Sequence, residues 1–357
     1  MSVVASFSIE FQRFLDPEGR PADEPLPAFA ADGETLVELY RQMSYTRSFD
    51  SKAVALQRTG KLGTYASCLG HEATHIGVAS AMQYDDVMAV SYREIGAMLL
   101  RGVRPREILL YWGGDERGSD WSGPAHDYPI CVPISTQCLH AAGAALAFKL
   151  RGEPRVAVAF CGDGGSSKAD FYAALNSAGA YQLPLILVVV NNQWAISVPR
   201  DAQTGAQTLA QKGIAGGLDC VQVDGNDLIA VRAATEHAIA RARNGHGGSV
   251  IEAVTYRLSD HTTADDARRY RDEAEVKAAW EQEPMRRLRA YLLGRGLWDD
   301  AKEVAWKEAS AKRVDEEVNA YLATEPPPLS DMFAYTYAEP PLDLVQQRAE
   351  LLAGSAR

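Results

Sequence analysis

The sequence has little of what would assign it to several large functional classes. Cysteine is sparse: Cys68, Cys131, Cys138, Cys161 and Cys220 are odd in number and never in CxxC spacing. That pattern supports neither a disulfide framework nor a zinc site, and it reads as reduced, mostly buried thiols. No apolar run approaches the roughly 20 residues that a bilayer-crossing helix needs. Residues 1–20 lack a basic segment followed by an apolar one and already carry an acid at Glu10, so the expectation is a cytoplasmic protein without a membrane partner. Basic residues are also in deficit, 36 Lys and Arg against 47 Asp and Glu, for a net charge of -11. A phosphate backbone needs a basic face, so nucleic acid is excluded as the main partner. Two nucleotide signatures are missing as well. There is no Gly-Lys-Ser/Thr P-loop, and Ser167 stands where a dinucleotide fingerprint starting at Gly162 would need its third glycine.

What is present is strand followed by helix, recurring through the middle of the chain. Apolar runs at 156–160, 185–190, 219–223 and 249–254, with a shorter one at 85–90, alternate with helical patterns at 95–100, 139–150 and 228–243. This alternation predicts an α/β fold with a mostly parallel sheet flanked by helices. Residues 1–33 carry Pro17, Pro21, Pro25 and Pro27 and read as an extended N-terminal arm. Residues 34–272 form the α/β domain, and 273–357, charged and alanine-rich, form a helical C-terminal extension packed on it. The segment 255–271, TYRLSDHTTADDARRYR, holds four arginines, three acids and one histidine. It is too polar for a core element, and its length and polarity are those of a functional loop.

The chemistry concentrates at 155–197. The runs 156–160 and 185–190 end in Gly162-Asp163-Gly164-Gly165 and Asn191-Asn192. In an open parallel sheet the C-terminal strand edge is where ligands bind, because loop amides and helix N-termini converge there. A carboxylate from Asp163 and a side-chain carbonyl from Asn192 suit a hard cation such as magnesium, which completes its octahedron with phosphate and water. The Trp194 carbonyl could add a third oxygen. Gly164 and Gly165 allow close approach of a phosphate. Arg93, at a strand-to-helix junction, is placed either to grip a phosphate or to pair on the surface with Glu94 or Asp86. By itself, GDG reads by default as a tight turn from strand to helix whose Asp163 caps the helix.

GDG followed by NN resembles the thiamine-diphosphate motif. The segments TGKLGTYASCLGHEA, SYRE, PISTQ, GDGGSSKADFYAALNSAGA, NNQWAIS, VDGNDLIAV, YRLSDHTTADDARRYR and RRLRAYLLGRGLWDD resemble, in order, the α subunit of heterotetrameric 2-oxo acid dehydrogenases. That component decarboxylates the substrate in the pyruvate and branched-chain complexes. The resemblance implies a thiamine-diphosphate-binding fold. It implies Asp163, Asn192 and Trp194 as Mg2+ ligands, and Tyr92, Arg93, Gly164 and Gly165 at the diphosphate. Val132, Ile134 and Ala195 would sit along the cofactor, with Ile134 propping it in its bent form. Thr136 and Gln137 match positions that hold a structural K+ in some members. His261, near the diphosphate and the reacting centre, is both a cofactor contact and a catalytic residue in this reading, joined by Arg257, Tyr270 and Arg271. Asp265 and Asp266 match loop positions tied to closure and to access of the lipoyl domain.

The implied partners are a beta subunit in an α2β2 heterotetramer, which supplies the activating glutamate, a lipoyl-bearing acyltransferase, and a small 2-oxo acid. Pyruvate is the favoured substrate and a branched-chain 2-oxo acid the alternative. Another thiamine enzyme subunit, or a non-catalytic assembly subunit, are further readings. Two departures stand out. Branched-chain members carry Arg where this chain has Val190, and Thr262 stands where regulated members carry a phosphorylatable serine.

Overall fold

The structure, a computed structural model, describes residues 1–354. Ser355, Ala356 and Arg357, part of the expected C-terminal extension, lie outside the described residues. Eight strands occur among the described residues: β1 Glu10–Gln12, β2 Val87–Ala89, β3 Ala157–Gly162, β4 Leu185–Asn191, β5 Trp194–Ala195, β6 Val198–Pro199, β7 Asp219–Asp224 and β8 Ser249–Val254. Six of them form one sheet in the order β1-β7-β8-β4-β3-β2, and every pairing is parallel. The other two, β5 and β6, make a short antiparallel pair just beyond β4.

An all-parallel sheet must be covered on both faces, and the strand sequences show it: LILVVVN in β4 is buried at every position. Successive side chains point to opposite faces. Val158, Phe160, Ile186 and Val188 meet the helices Gly33–Arg58, Glu72–Ala81 and Leu228–Arg243 on one side. Ala157, Ala159, Leu185 and Leu187 meet Thr136–Arg151 and Ala169–Ala180 on the other. Alanines at this second face let those two helices lie close to the sheet.

The proline-rich arm is more than a covering. Its residues 10–12 pair with β7 as an edge strand, and Phe14 and Leu15 donate their backbone N–H groups to Asp227 Oδ2 at 2.6 and 2.7 Å. Asp227 is also the N-cap of Leu228–Arg243. The helix Pro284–Gly294 packs against the same region through Met285, Leu288 and Tyr291. It is fastened by buried Arg287, which donates to Asp224 Oδ2 at 2.6 Å and to the Leu15 carbonyl at 3.2 Å. Arg47 adds a second tie by bridging Glu72 and Glu283 at 2.8 and 2.7 Å. No helix among the described residues is long and apolar enough to cross a membrane.

Candidate functional site

The parallel order places β2, β3 and β4 side by side, so their C-terminal ends deliver Ser91-Tyr92-Arg93, Asp163 and Asn192 to one edge. There they line a cavity of about 830 Å³. Val132, Ile134, Thr136, Gln137, Gly164, Gly165, Val190, Trp194, Ala195, His261 and Thr262 line it too. Tyr92, Arg93 and His261, and the sequence-expected cation ligands Asp163, Asn192 and Trp194, are thus brought together around one space. Arg257, Tyr270, Arg271, Asp265 and Asp266 do not line it. They sit behind it and brace the loop, apart from Asp266, which pairs with the exposed Arg268.

Asp163 is 2% exposed, and its carboxylate accepts one side-chain hydrogen bond, from Gln203 Nε2 at 2.8 Å. Burial pushes its pKa up, and the Gln203 bond only partly offsets this. Backbone N–H groups of Gly164 and Asp163 and the charge of Arg257 also lower it, yet burial prevails, and a cation would relieve this under-compensation. Asn192 is also buried, with Oδ1 accepting from Trp194 N at 3.2 Å. Among the described residues, no cluster of three or more His, Cys, Asp or Glu could hold a metal. A cation here would therefore rely on amide and backbone oxygens beside the single carboxylate of Asp163.

The glycine turn after β3 is packed to its limit. A Cβ on Gly164 would stand 2.6 Å from Ala195 Cβ, and one on Gly165 2.8 Å from Ser135 Oγ. The turn itself, Gly164–Ser167, is a short 3-10 segment, and the helix proper begins at Ala169. Lys212 braces the back of the turn, donating to the Ser166 carbonyl at 3.0 Å and to Ser166 Oγ at 2.8 Å.

Loop 255–271, read from its polarity as no core element, nevertheless buries one of its arginines. Arg257 is 1% exposed. Its guanidinium is satisfied by the Trp194 carbonyl at 3.0 Å, the Ile196 carbonyl at 2.9 Å and Tyr270 Oη at 2.9 Å, which is why a charged side chain can be interior here. Burial, then Arg93, pushes its pKa down to about 10. The Trp194 carbonyl thus already accepts one hydrogen bond, leaving its second lone pair. Tyr270 in turn donates to Asp265, and Arg271 donates to the Arg257 carbonyl.

His261 lies between the two buried arginines. Arg93 Nη2 donates to its carbonyl at 2.8 Å and approaches Nδ1 at 3.2 Å, and Arg257 Nη1 lies 3.4 Å from Nδ1. Arginine only donates, so Nδ1 is the acceptor and the proton of the neutral ring belongs on Nε2. Burial, reinforced by Arg93 and Arg257, pushes the His261 pKa down to about 4. Arg93 itself is held by the Ser67 carbonyl at 2.6 Å, and that segment is fixed by buried Asp50, which accepts from Tyr65 Oη, Ser67 Oγ and Cys68 N.

Three residues escaped the sequence reading. Asp50 lies unremarked in a helix. Glu252, an acid inside the apolar run of β8, accepts from Asn191 Nδ2 at 2.7 Å, Leu209 N at 2.8 Å, Ala210 N at 3.0 Å and Gln222 Nε2 at 3.0 Å. The third is His71, which lines the cavity. The available signal was an ionisable residue inside an otherwise apolar pattern, present in SVIEAV and weaker in the other two.

Comparison with known proteins bears directly on this edge. The model of the family described as dehydrogenase E1 component matches residues 40–329. The chain belongs to that family. It is 40% identical over 356 residues to the 3-methyl-2-oxobutanoate dehydrogenase subunit alpha of Mycobacterium tuberculosis, spanning 99% of this chain and 97% of the relative. It is 38% identical to pyruvate dehydrogenase E1 component subunits alpha of Acholeplasma laidlawii and Staphylococcus aureus. Those matches cover 89% of this chain and 92% of the relative, and 95% and 91%, respectively. The chain is an alpha component of a 2-oxo acid dehydrogenase, an oxidoreductase. Family membership implies thiamine diphosphate as cofactor, with a beta subunit and an acyltransferase component as partners.

Proposed function

We propose that this chain is the cofactor-anchoring half of a heterotetrameric 2-oxo acid dehydrogenase that decarboxylates pyruvate and transfers the acyl group to a lipoyl-bearing acyltransferase. The observation that carries the reading is the convergence of Arg93, Asp163 and Asn192 from three adjacent strand ends on one cavity. A branched-chain substrate is the second reading, consistent with the match to the mycobacterial 3-methyl-2-oxobutanoate subunit.

The residues fit a magnesium-bound diphosphate. The turn at Gly164 and Gly165 has no room for a Cβ, and Asp163 is a buried carboxylate short of positive partners. Asp163, the Asn192 side-chain oxygen and the Trp194 carbonyl would hold Mg2+. Tyr92, Arg93 and the Gly164–Gly165 turn would hold the phosphates, with Val132, Ile134 and Ala195 along the cofactor. When bound, thiamine diphosphate supplies the nucleophilic carbon and the electron sink that decarboxylation of a 2-oxo acid requires. This chain orients it, neutralises its phosphates and keeps a proton on His261 Nε2, available for donation near the reacting centre. Arg257, Tyr270 and Arg271 hold His261 and its loop in place. Gln137 anchors through Nε2 to the Phe160 carbonyl at 2.7 Å, while its buried Oε1 has no protein partner. With Thr136 it offers oxygen for a structural K+.

The only glutamate lining the cavity among the described residues is Glu94. Its Oε2 is committed to the N–H and Oγ of Ser91, both at 2.8 Å. That supports an activating acid supplied by the beta subunit, so the isolated chain should be inactive. Apolar side chains exposed at the mouth, Val132, Ile134 and Ile196, are a surface for that subunit to cover. A cytoplasmic setting is part of the reading, supported by five free cysteines.

The test is to mix the chain with its beta subunit and measure thiamine-diphosphate-dependent decarboxylation of pyruvate and of 3-methyl-2-oxobutanoate with an artificial electron acceptor. Turnover of neither overturns the reading, and the ratio of the two decides the substrate. Asp163→Ala and Asn192→Ala should each abolish magnesium-dependent cofactor binding. His261→Ala should bind cofactor while lipoyl acylation falls sharply.

A further inference from the structure

His71 is 1% exposed and lines the cavity at the strand edge, yet neither ring nitrogen has a hydrogen-bond partner. An imidazole so placed forgoes a donor and an acceptor, and each unmet buried polar atom costs about 1–3 kcal/mol. The backbone nearby is well tied: His71 N donates to the Cys68 carbonyl at 2.9 Å, and His71 O accepts from His75 N at 3.0 Å. The unmet groups are therefore in the side chain alone. The ring meets His75 edge to face, with centroids 5.6 Å apart.

The electrostatic surroundings indicate what the ring faces. Burial, together with His75, Arg93 and Arg257, holds its pKa well below the ordinary value, so the ring is neutral, with one N–H and one bare nitrogen. The buried Arg93 guanidinium, which lines the same cavity as this neutral imidazole, marks a place that accepts negative charge. A diphosphate carries more terminal oxygens than one arginine, one cation and a glycine turn can satisfy.

We propose that His71 is a cofactor-binding residue whose ring N–H donates to a phosphate oxygen of the diphosphate group, beside Arg93. This rests on the thiamine-diphosphate reading above. His71 thereby reads the phosphate end of the cofactor and contributes nothing to its thiazole and pyrimidine rings.

The experiment is isothermal calorimetry on the reconstituted α/β complex with Mg2+, using thiamine diphosphate, inorganic pyrophosphate and thiamine as probes. His71→Leu is expected to lose about 10-fold or more in affinity for the first two, the range of a lost hydrogen bond to a charged group, with thiamine unchanged. His71→Gln, which restores an N–H at similar reach, should stay within about threefold of wild type. His71→Asn, one methylene shorter, should behave like His71→Leu, so the Gln and Asn pair decides the matter if the leucine variant fails to assemble. Equal affinities across the variants, or an equal loss for all three probes, overturns the proposal and leaves a water-filled site as the account of the ring. If the wild-type complex binds no thiamine diphosphate, the functional reading fails instead.

Discussion

The sharpest stability prediction concerns Glu252→Gln. In the native chain one carboxylate takes four donors: Oε1 receives Asn191 Nδ2, while Oε2 receives Leu209 N, Ala210 N and Gln222 Nε2. Glutamine has one oxygen. If it replaces Oε2, the new amide N–H confronts the Asn191 amide N–H. Asn191 cannot flip freely, because its Oδ1 already accepts from Gln193 Nε2 at 3.1 Å and from Gln193 N at 3.3 Å. One mispaired buried donor costs about 1–3 kcal/mol, and reducing three charge-assisted bonds to neutral ones costs about 0.5 kcal/mol each. The loss should be about 3 kcal/mol, a large part of a typical stability of about 5–15 kcal/mol. Urea denaturation followed by tryptophan fluorescence should show a midpoint lower by about 1 M, at a slope of about 3 kcal/mol/M. Asn191→Asp should be destabilising too, since it sets two carboxylates face to face. The double variant should recover part of both losses, because the carboxylate introduced on β4 would then accept from the amide introduced on β8. Strict additivity of the two single changes, or an unshifted midpoint for Glu252→Gln, refutes the reasoning.

The other predictions concern the loop, the turn and protonation. Arg257→Lys keeps the charge but loses the fork that reaches Trp194 O, Ile196 O and Tyr270 Oη together; limited proteolysis should cut faster within 255–271, and an unchanged cleavage pattern would contradict this. Gly164→Ala should lose about 1–3 kcal/mol by overpacking against Ala195 Cβ, with calorimetric cofactor affinity falling; adding Ala195→Gly should restore much of both, and failure of that rescue would refute the overpacking account. The folded pKa of His261, about 4, lies below its ordinary 6.5, so the unfolded chain takes up a proton first as pH falls. Its contribution is complete above about pH 6.5 and is lost toward pH 4. His261→Gln lacks this loss, so its stability relative to wild type should improve between pH 7.5 and 5; a constant difference across that range argues that His261 is not held neutral.

Elements with strong local signals were legible in the sequence. The helices Leu228–Arg243 and Asp300–Leu322 follow Asp227 and Asp299, whose side chains accept from the first-turn amides. The ends of β3 and β4 were visible because glycine and asparagine interrupt apolar runs, and those two ends carry most of the cavity. Strand β1 was not visible: three residues in a proline-rich arm give no periodicity, and their partner β7 lies about 210 residues away. The helix Pro105–Trp112 was also missed, since PREILLYW is too short to show a period. The buried position of Arg257 could not be read, because composition marks its loop as polar and only the folded chain supplies the three oxygens that satisfy it. For the same reason the place of His71 in the cavity wall could not be read from the sequence.

The lacing of the N-terminal arm and of the helix Pro284–Gly294 to the sheet constrains how the molecule can be made. Phe14 and Leu15 find Asp227 213 and 212 residues downstream, and Arg287 closes onto the Leu15 carbonyl across 272 residues. While the chain is being synthesised, the first strand stays without its partner until β7 has left the ribosome, and its clasp is absent until Arg287 follows. The N-terminal segment must therefore wait, exposed, for nearly the whole polypeptide, and Val3, Val4 and Phe7 remain exposed even in the finished fold. Completion of this subunit is consequently a late, nearly post-translational event.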